Sequence, residues 1–201
     1  MIHVALLDDH RSILTGLLRL LEPAHDVRVV AAAPDPAALA QALDGRRADV
    51  LSADYDPERG DTLTLCSRIK SRPTPPAVLF YTAYATPALA LAARAAQADG
   101  VIDKSAPAAV LLHSIRAVAD GQKAFPVVGG DVFEAAVARL EDGDLPVLAL
   151  LLDGLTAPGI AEALHCDERE AGRRARRVVE RLRPRLAFAT ARPDPGGSRS
   201  A

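Results

Sequence analysis

Short apolar runs of strand length alternate, through the first half of the chain, with stretches whose apolar residues fall three and four apart. Ile2-His3-Val4-Ala5-Leu6-Leu7 is the first such run and ends at Asp8-Asp9. Behind it Ile13, Leu14, Leu17, Leu18 and Leu21 share one helical face, with Ser12 as a cap and Pro23 as the stop. Val27 to Ala31 predicts a second strand, and 36–43 a helix closed by Asp44-Gly45. Asp49 opens a third strand, Val50 to Ala53, followed by a polar loop and a helix from about 61 to 70. Strand 77–81, an Ala-rich helix 87–97, strand 100–103 and helix 107–119 complete the series. Strict strand–helix repetition over roughly 120 residues predicts an α/β fold, a parallel doubly wound sheet with helices on both faces.

From Gly121 the pattern changes. A breaker-rich link to Gly130, with Pro126 and paired glycines, marks a boundary, and 131–140 reads as a linker helix. Helix 145–152 follows, then a turn at Asp153-Gly154-Leu155, and Thr156 caps a short helix carrying Ile160, Ala161 and Leu164 inward. His165-Cys166 makes another turn. Asp167 with Glu170 three later opens a helix to about Leu182. On it Ala171, Ala175, Val178, Val179 and Leu182 share one face, while Arg173, Arg176, Arg177 and Arg181 take the other. Helix, tight turn and basic-faced helix predict a small all-α helix-turn-helix unit, the kind whose second helix enters the major groove. The expected division is 1–121, a linker at 122–141, a helix-turn-helix unit at 142–187, and a disordered Pro/Gly/Ser-rich tail at 188–201.

Composition adds three points. The 201 residues are 49% hydrophobic but only 3% aromatic, with no Trp, so Ala and Leu carry the packing. Net charge is -2, which by itself implies no polyanion partner; eight arginines between Arg169 and Arg185 say otherwise. Cys66 and Cys166 lie far apart without metal-type spacing, which reads as reduced thiols. No apolar run approaches the ~18 residues of a membrane span and the N-terminus carries no secretory pattern, so a soluble cytoplasmic protein is expected.

The candidate chemistry lies at strand ends. Asp8 and Asp9 end the first strand, Asp54 the third, Thr82 the fourth and Lys104 the fifth. Parallel neighbouring strands would bring all of them to one sheet edge, where open α/β sheets bind ligands. Carboxylates about 4 Å apart repel by several kcal/mol at an effective dielectric of ~20, unless one is protonated or a hard divalent cation sits among them. Mg²⁺ prefers such oxygen ligands and binds phosphate alongside them. An ionised Asp beside it can attack a phosphoryl group, with a hydroxyl and an ammonium receiving the phosphoryl oxygens.

Leu6-Leu7-Asp8-Asp9-His10, Asp54, Thr82-Ala83 and Val101-Ile102-Asp103-Lys104-Ser105 resemble the receiver domain of two-component response regulators, over residues 1–121. The resemblance implies a flavodoxin-like (βα)5 fold and Asp54 as phosphoacceptor. It also implies Mg²⁺ held by Asp8, Asp9, Asp54 and the backbone carbonyl of Asp56, with Thr82 and Lys104 on the phosphoryl group. Three places depart from the pattern. Glu58 and Thr62 stand where Pro and Gly are usual, and Val101 replaces the switch aromatic.

Residues 140–183 resemble the LuxR-type helix-turn-helix, with Thr156, Ile160, Ala161, Glu162, Leu164, Glu168, Arg169, Arg177 and Leu182 at matching positions. That implies double-stranded DNA as a partner, contacted by Arg169, Arg173, Arg174, Arg176 and Arg177. A cognate histidine kinase is implied as well, and a homodimer is allowed. Here too there are departures. Ala171-Gly172 replaces the usual Val-Lys, Gly143-Asp144 replaces Arg-Glu, and Pro184 interrupts the region of the usual dimer helix. The expected function is a phosphorylated DNA-binding transcriptional regulator, not an enzyme in the ordinary sense. The alternative is an atypical regulator with the same domains whose output is not switched by phosphorylation. A haloacid-dehalogenase-like phosphatase using Asp8 is disfavoured, because that family needs Asp-x-Asp and here the acids are adjacent.

Overall fold

A computed structural model describes residues 1–57 and 62–184. Glu58, the expected helix start at 61, Arg185 and the tail at 188–201 lie outside the described residues. The strands are β1 Ile2–Leu7, β2 Val27–Ala33, β3 Val50–Ala53, β4 Ala77–Thr82 and β5 Gly100–Asp103. They form one parallel sheet in the order β2-β1-β3-β4-β5. Helices α1 Arg11–Leu21, α2 Pro36–Leu43, α3 Thr62–Lys70, α4 Pro87–Ala95 and α5 Ala108–Ala119 alternate with them. The order reverses between β1 and β3, which opens the crevice beyond their C-terminal ends.

Alternation along the strands sorts the core into two layers. Val4 and Leu6 of β1 face Leu14, Leu17 and Leu21 of α1 and Leu111, Ile115 and Val118 of α5. Ala5 and Leu7 face the other way, with Leu39 of α2, Leu63, Cys66 and Ile69 of α3, and Leu89 and Ala92 of α4. The helices on both faces are those the apolar spacing called for. Smaller differences are local. The chain enters α1 already at Arg11, because the Asp8 carboxylate accepts the His10 N–H (2.9 Å) and turns it there, so Ser12 is no cap. The α4 helix ends at Ala95 rather than at Gln97, whose φ of 67° is left-handed and cannot continue a helix.

The second half contains α6 Gly130–Val137, a 3₁₀ turn Asp142–Asp144, α7 Leu145–Leu152, α8 Ala157–Leu164 and α9 Glu168–Leu182. Asp167 caps α9 through the Glu170 N–H (2.8 Å), and His165 closes α8 in a left-handed conformation. Buried Val147, Leu148, Leu151, Ile160, Ala171, Val178, Val179 and Leu182 join the same apolar layer as α3 and α4. The α9 helix lies against α3 and α4, and Gln97 Nε2 donates to the Leu151 carbonyl of α7 at 2.6 Å. The connecting chain is pinned as well. Val101 N–H donates to the Ala124 carbonyl (2.9 Å) beside Gly100, where a Cβ would stand 2.6 Å from that same oxygen. Asp99 then holds Lys70 and Lys123, each at 2.7 Å.

Candidate functional site

Strand register brings the five predicted residues to one edge of the sheet. Asp54 follows β3 and its N–H donates to Leu7 O (2.8 Å), while the Asp8 N–H donates to Ala33 O (3.2 Å). The Lys104 N–H donates to Thr82 O (2.9 Å), so the chain leaves β5 alongside the end of β4. From there the Lys104 Nζ bridges Asp8 Oδ2 (2.6 Å) and Asp54 Oδ2 (2.8 Å). Asp8 is 3% exposed and Thr82 fully buried. Asp56 lines the same cavity as Asp8, Asp9 and Asp54.

Burial pushes the Asp54 carboxyl above its ordinary pKa; Lys104 opposes that shift and Asp8 adds to it. Burial by itself would lower the Lys104 ammonium, but its bonds to Asp54 and Asp8 override that and hold it above the usual lysine range. Asp54 Oδ1 is buried and has no hydrogen-bond partner among the described residues. An acceptor left over in this way, among carboxylates, is what a hard cation or a phosphoryl group would use. Asp8, Asp9, His10 and Asp54 each offer a ligand atom within 4.8 Å of the others, so the cluster could hold a metal ion. His10 was not expected as part of that cluster. Its Nδ1 lies 2.7 Å from Asp9 Oδ1, and its place directly after the two acids was the only signal for it.

On α9 the predicted arginines divide. Arg173 and Arg174 pair with Glu170, holding its carboxyl below the usual range. Arg177 Nη2 meets Asp144 Oδ1 at 3.1 Å, and Arg181 bonds both Asp144 and Glu141. Burial alone would raise the Asp144 carboxyl, which is fully buried; the Glu141 N–H and the two guanidiniums hold it low instead. So the acid at 144, a departure in sequence, acts as the brace that joins α7 to α9. Arg169 and Arg176 are exposed and carry no ion pair among the described residues. Arg176, Gly172 and Ala175 line a cavity of about 100 Å³ against Ser67 and Lys70 of α3.

Residues 4–116 match the family model of the response regulator receiver domain. The chain belongs to that family. It is 26% identical to the DNA-binding transcriptional activator DevR/DosR of Mycobacterium tuberculosis, over 90% of this chain and 88% of the relative. Among solved structures, two RcsB dimers bound to two parallel DNAs match with a TM-score of 0.58 at 26% identity, covering 90% of this chain and 91% of that one. RcsB from Salmonella enterica serovar Typhimurium, bound to promoter rprA in the presence of phosphomimetic BeF3⁻, also gives 0.58 at 26% identity, over 90% and 92%. These response regulators are matched over nearly their whole length, receiver and helical half together. No helix among the described residues is long and apolar enough to cross a membrane.

Proposed function

We propose that this chain is a two-component response regulator that accepts a phosphoryl group on Asp54 and acts as a DNA-binding transcriptional regulator. The observation that carries it is the Lys104 ammonium spanning Asp8 and Asp54, at the end of three strands, beside a buried and unsatisfied Asp54 Oδ1. The donor set is all oxygen apart from His10, which fits Mg²⁺. Asp8, Asp9, Asp54 and the Asp56 carbonyl would hold it, and when bound it would neutralise charge on the incoming phosphoryl oxygens. Asp54 is the nucleophile, Lys104 supplies a counter-charge and Thr82 a hydrogen-bond donor. The donor is a histidine kinase, and the receiver turns over no substrate of its own. The chain divides at 1–121, 122–141 and 142–187, works in the cytoplasm, and pairs with a second copy on DNA. The partner is double-stranded DNA, a reading that the matched RcsB complexes with DNA support, and Arg169, Arg173, Arg174, Arg176 and Arg177 of α9 are the residues assigned to contact it.

Incubation with acetyl phosphate and Mg²⁺, followed on a gel that retains the acyl phosphate, tests this reading. Labelling that is lost in Asp54→Ala is the expected result; an unlabelled wild-type chain would leave the second reading. That reading keeps the same domains but has no phosphorylation switch. It is favoured by one observation: Val101, buried at 2% exposure, puts no ring beside the pocket.

A further inference from the structure

Helices α2 and α3 lie on the same face of the sheet, yet a cavity of about 220 Å³ stays open between them. The sequence of α2 explains the gap. Its eight residues supply only Leu39 and Leu43 as large apolar side chains, and its alanines are too short to fill the space toward α3. Ala5 of β1 and Leu51 of β3, at 1% and 4% exposure, form the floor, and Leu65 and Ile69 of α3 the far wall.

The charge gathers at one end. Both helices finish where β3 and β4 begin, and there Arg46 and Arg47, just past α2, and Arg72, just past α3, line the cavity. Arg46 is spent on the helix terminus, donating to the Leu43 carbonyl (3.1 Å) and the Ala42 carbonyl (2.7 Å). Arg47 and Arg72 are exposed and carry no ion pair among the described residues, and no acid among those residues lines the cavity. An apolar body with unneutralised guanidiniums at one end is the complement of an apolar tail with an anionic head. At the other end Leu7, Pro36 and Leu65 line both this cavity and the pocket of Asp8, Asp9 and Asp54. A tail lying along the floor would therefore end against the wall of the acid pocket.

We infer that this cavity is a binding site for a medium-chain alkyl carboxylate, its head held by Arg47 and Arg72 and its tail over Ala5 and Leu51. The inference stands independently of whether Asp54 accepts a phosphoryl group.

The test titrates the full chain with octanoate labelled with ¹³C at the carboxyl carbon and follows the bound signal by NMR. Saturable binding of one molecule per chain is expected. Hexanoate, two methylenes shorter, should bind roughly tenfold more weakly. Arg47→Gln and Arg72→Gln together should weaken octanoate by about tenfold while leaving octanol, which has no charge, unchanged. Ala40→Phe, which adds a ring to an exposed position lining the cavity, should abolish binding in a chain whose circular dichroism is that of wild type. Arg19→Gln, an exposed position on α1 across the sheet, should change nothing. Uptake that never saturates, equal affinity for the two chain lengths, or an equal loss in Arg19→Gln would overturn the inference. A chain that ignores octanoate and sediments as a dimer dissociated by Ala40→Phe would give this face to a second copy, and would overturn it too.

Discussion

In the pocket, Asp8, Asp9, Asp54 and Lys104 come from three strand ends spread over about a hundred positions, and all are largely screened from water. On α9, five arginines come from one stretch of nine residues and stand mostly in it. The pocket has a single ammonium shared by two acids. On the helix Glu170 occupies two of the five predicted arginines, and Asp144, from the turn before α7, a third. A charge cluster made by topology is therefore short of partners and ready for a ligand, whereas on the helix one acid of the same repeat and one brought in by the fold already engage most of the charge.

Removing partners should show that contrast most clearly. Lys104→Met leaves Asp8 and Asp54 facing each other without a cation, and breaking a buried pair in this way costs roughly 3–5 kcal/mol. Denaturant unfolding of the metal-free chain should show it, and millimolar Mg²⁺ should return much of the loss. A destabilisation indifferent to Mg²⁺ would mean the acids do not form a cation site.

Asp144→Ala should cost about 2 kcal/mol, because it strips charge-assisted bonds from Arg177 and Arg181. The Asp144 pKa is depressed on folding, so its contribution is present above about pH 4 and fades as pH falls through the folded value. Acid melts of wild type and variant should therefore converge at low pH; curves that stay parallel would break the assignment of Asp144 as brace. Asp54 has the opposite sign. Its raised pKa means that the folded chain holds the proton longer, so stability falls as pH climbs from about 4 through the folded value. Asp54→Asn should remove that slope.

The smallest effect separates the arginines. Arg176→Gln should flatten the salt dependence of DNA binding by about one unit, and Arg177→Gln by less, since Asp144 already engages that guanidinium. Equal slopes for the two would erase the distinction between held and available cations.

Much of this was legible beforehand, and for a plain reason. Apolar spacing showed all five strand–helix pairs and the helices of the second half, because burial against a sheet leaves its period in the chain. The convergence of Asp8, Asp54 and Lys104 followed from strand ends alone. What could not be read was anything fixed by contact across the fold. Asp144 looks like a lost residue until Arg177 and Arg181 are seen upon it, and Tyr55 looks like loop filling until Thr82 is found donating to its carbonyl. The seat of α9 on α3 and α4 is likewise invisible, because its Ala171, Val178 and Val179 carry the same pattern whichever layer receives them.

That seat has a practical consequence for anyone cutting the chain. A split after residue 121 would unroof α4, which is buried on every side from Leu89 to Ala93, and strip Ala171 and Val178 of neighbours. It would also sever Lys123 and Ala124 from the strand they flank. Each fragment would meet water, and other fragments, with newly bared grease, so the halves are better handled joined than apart.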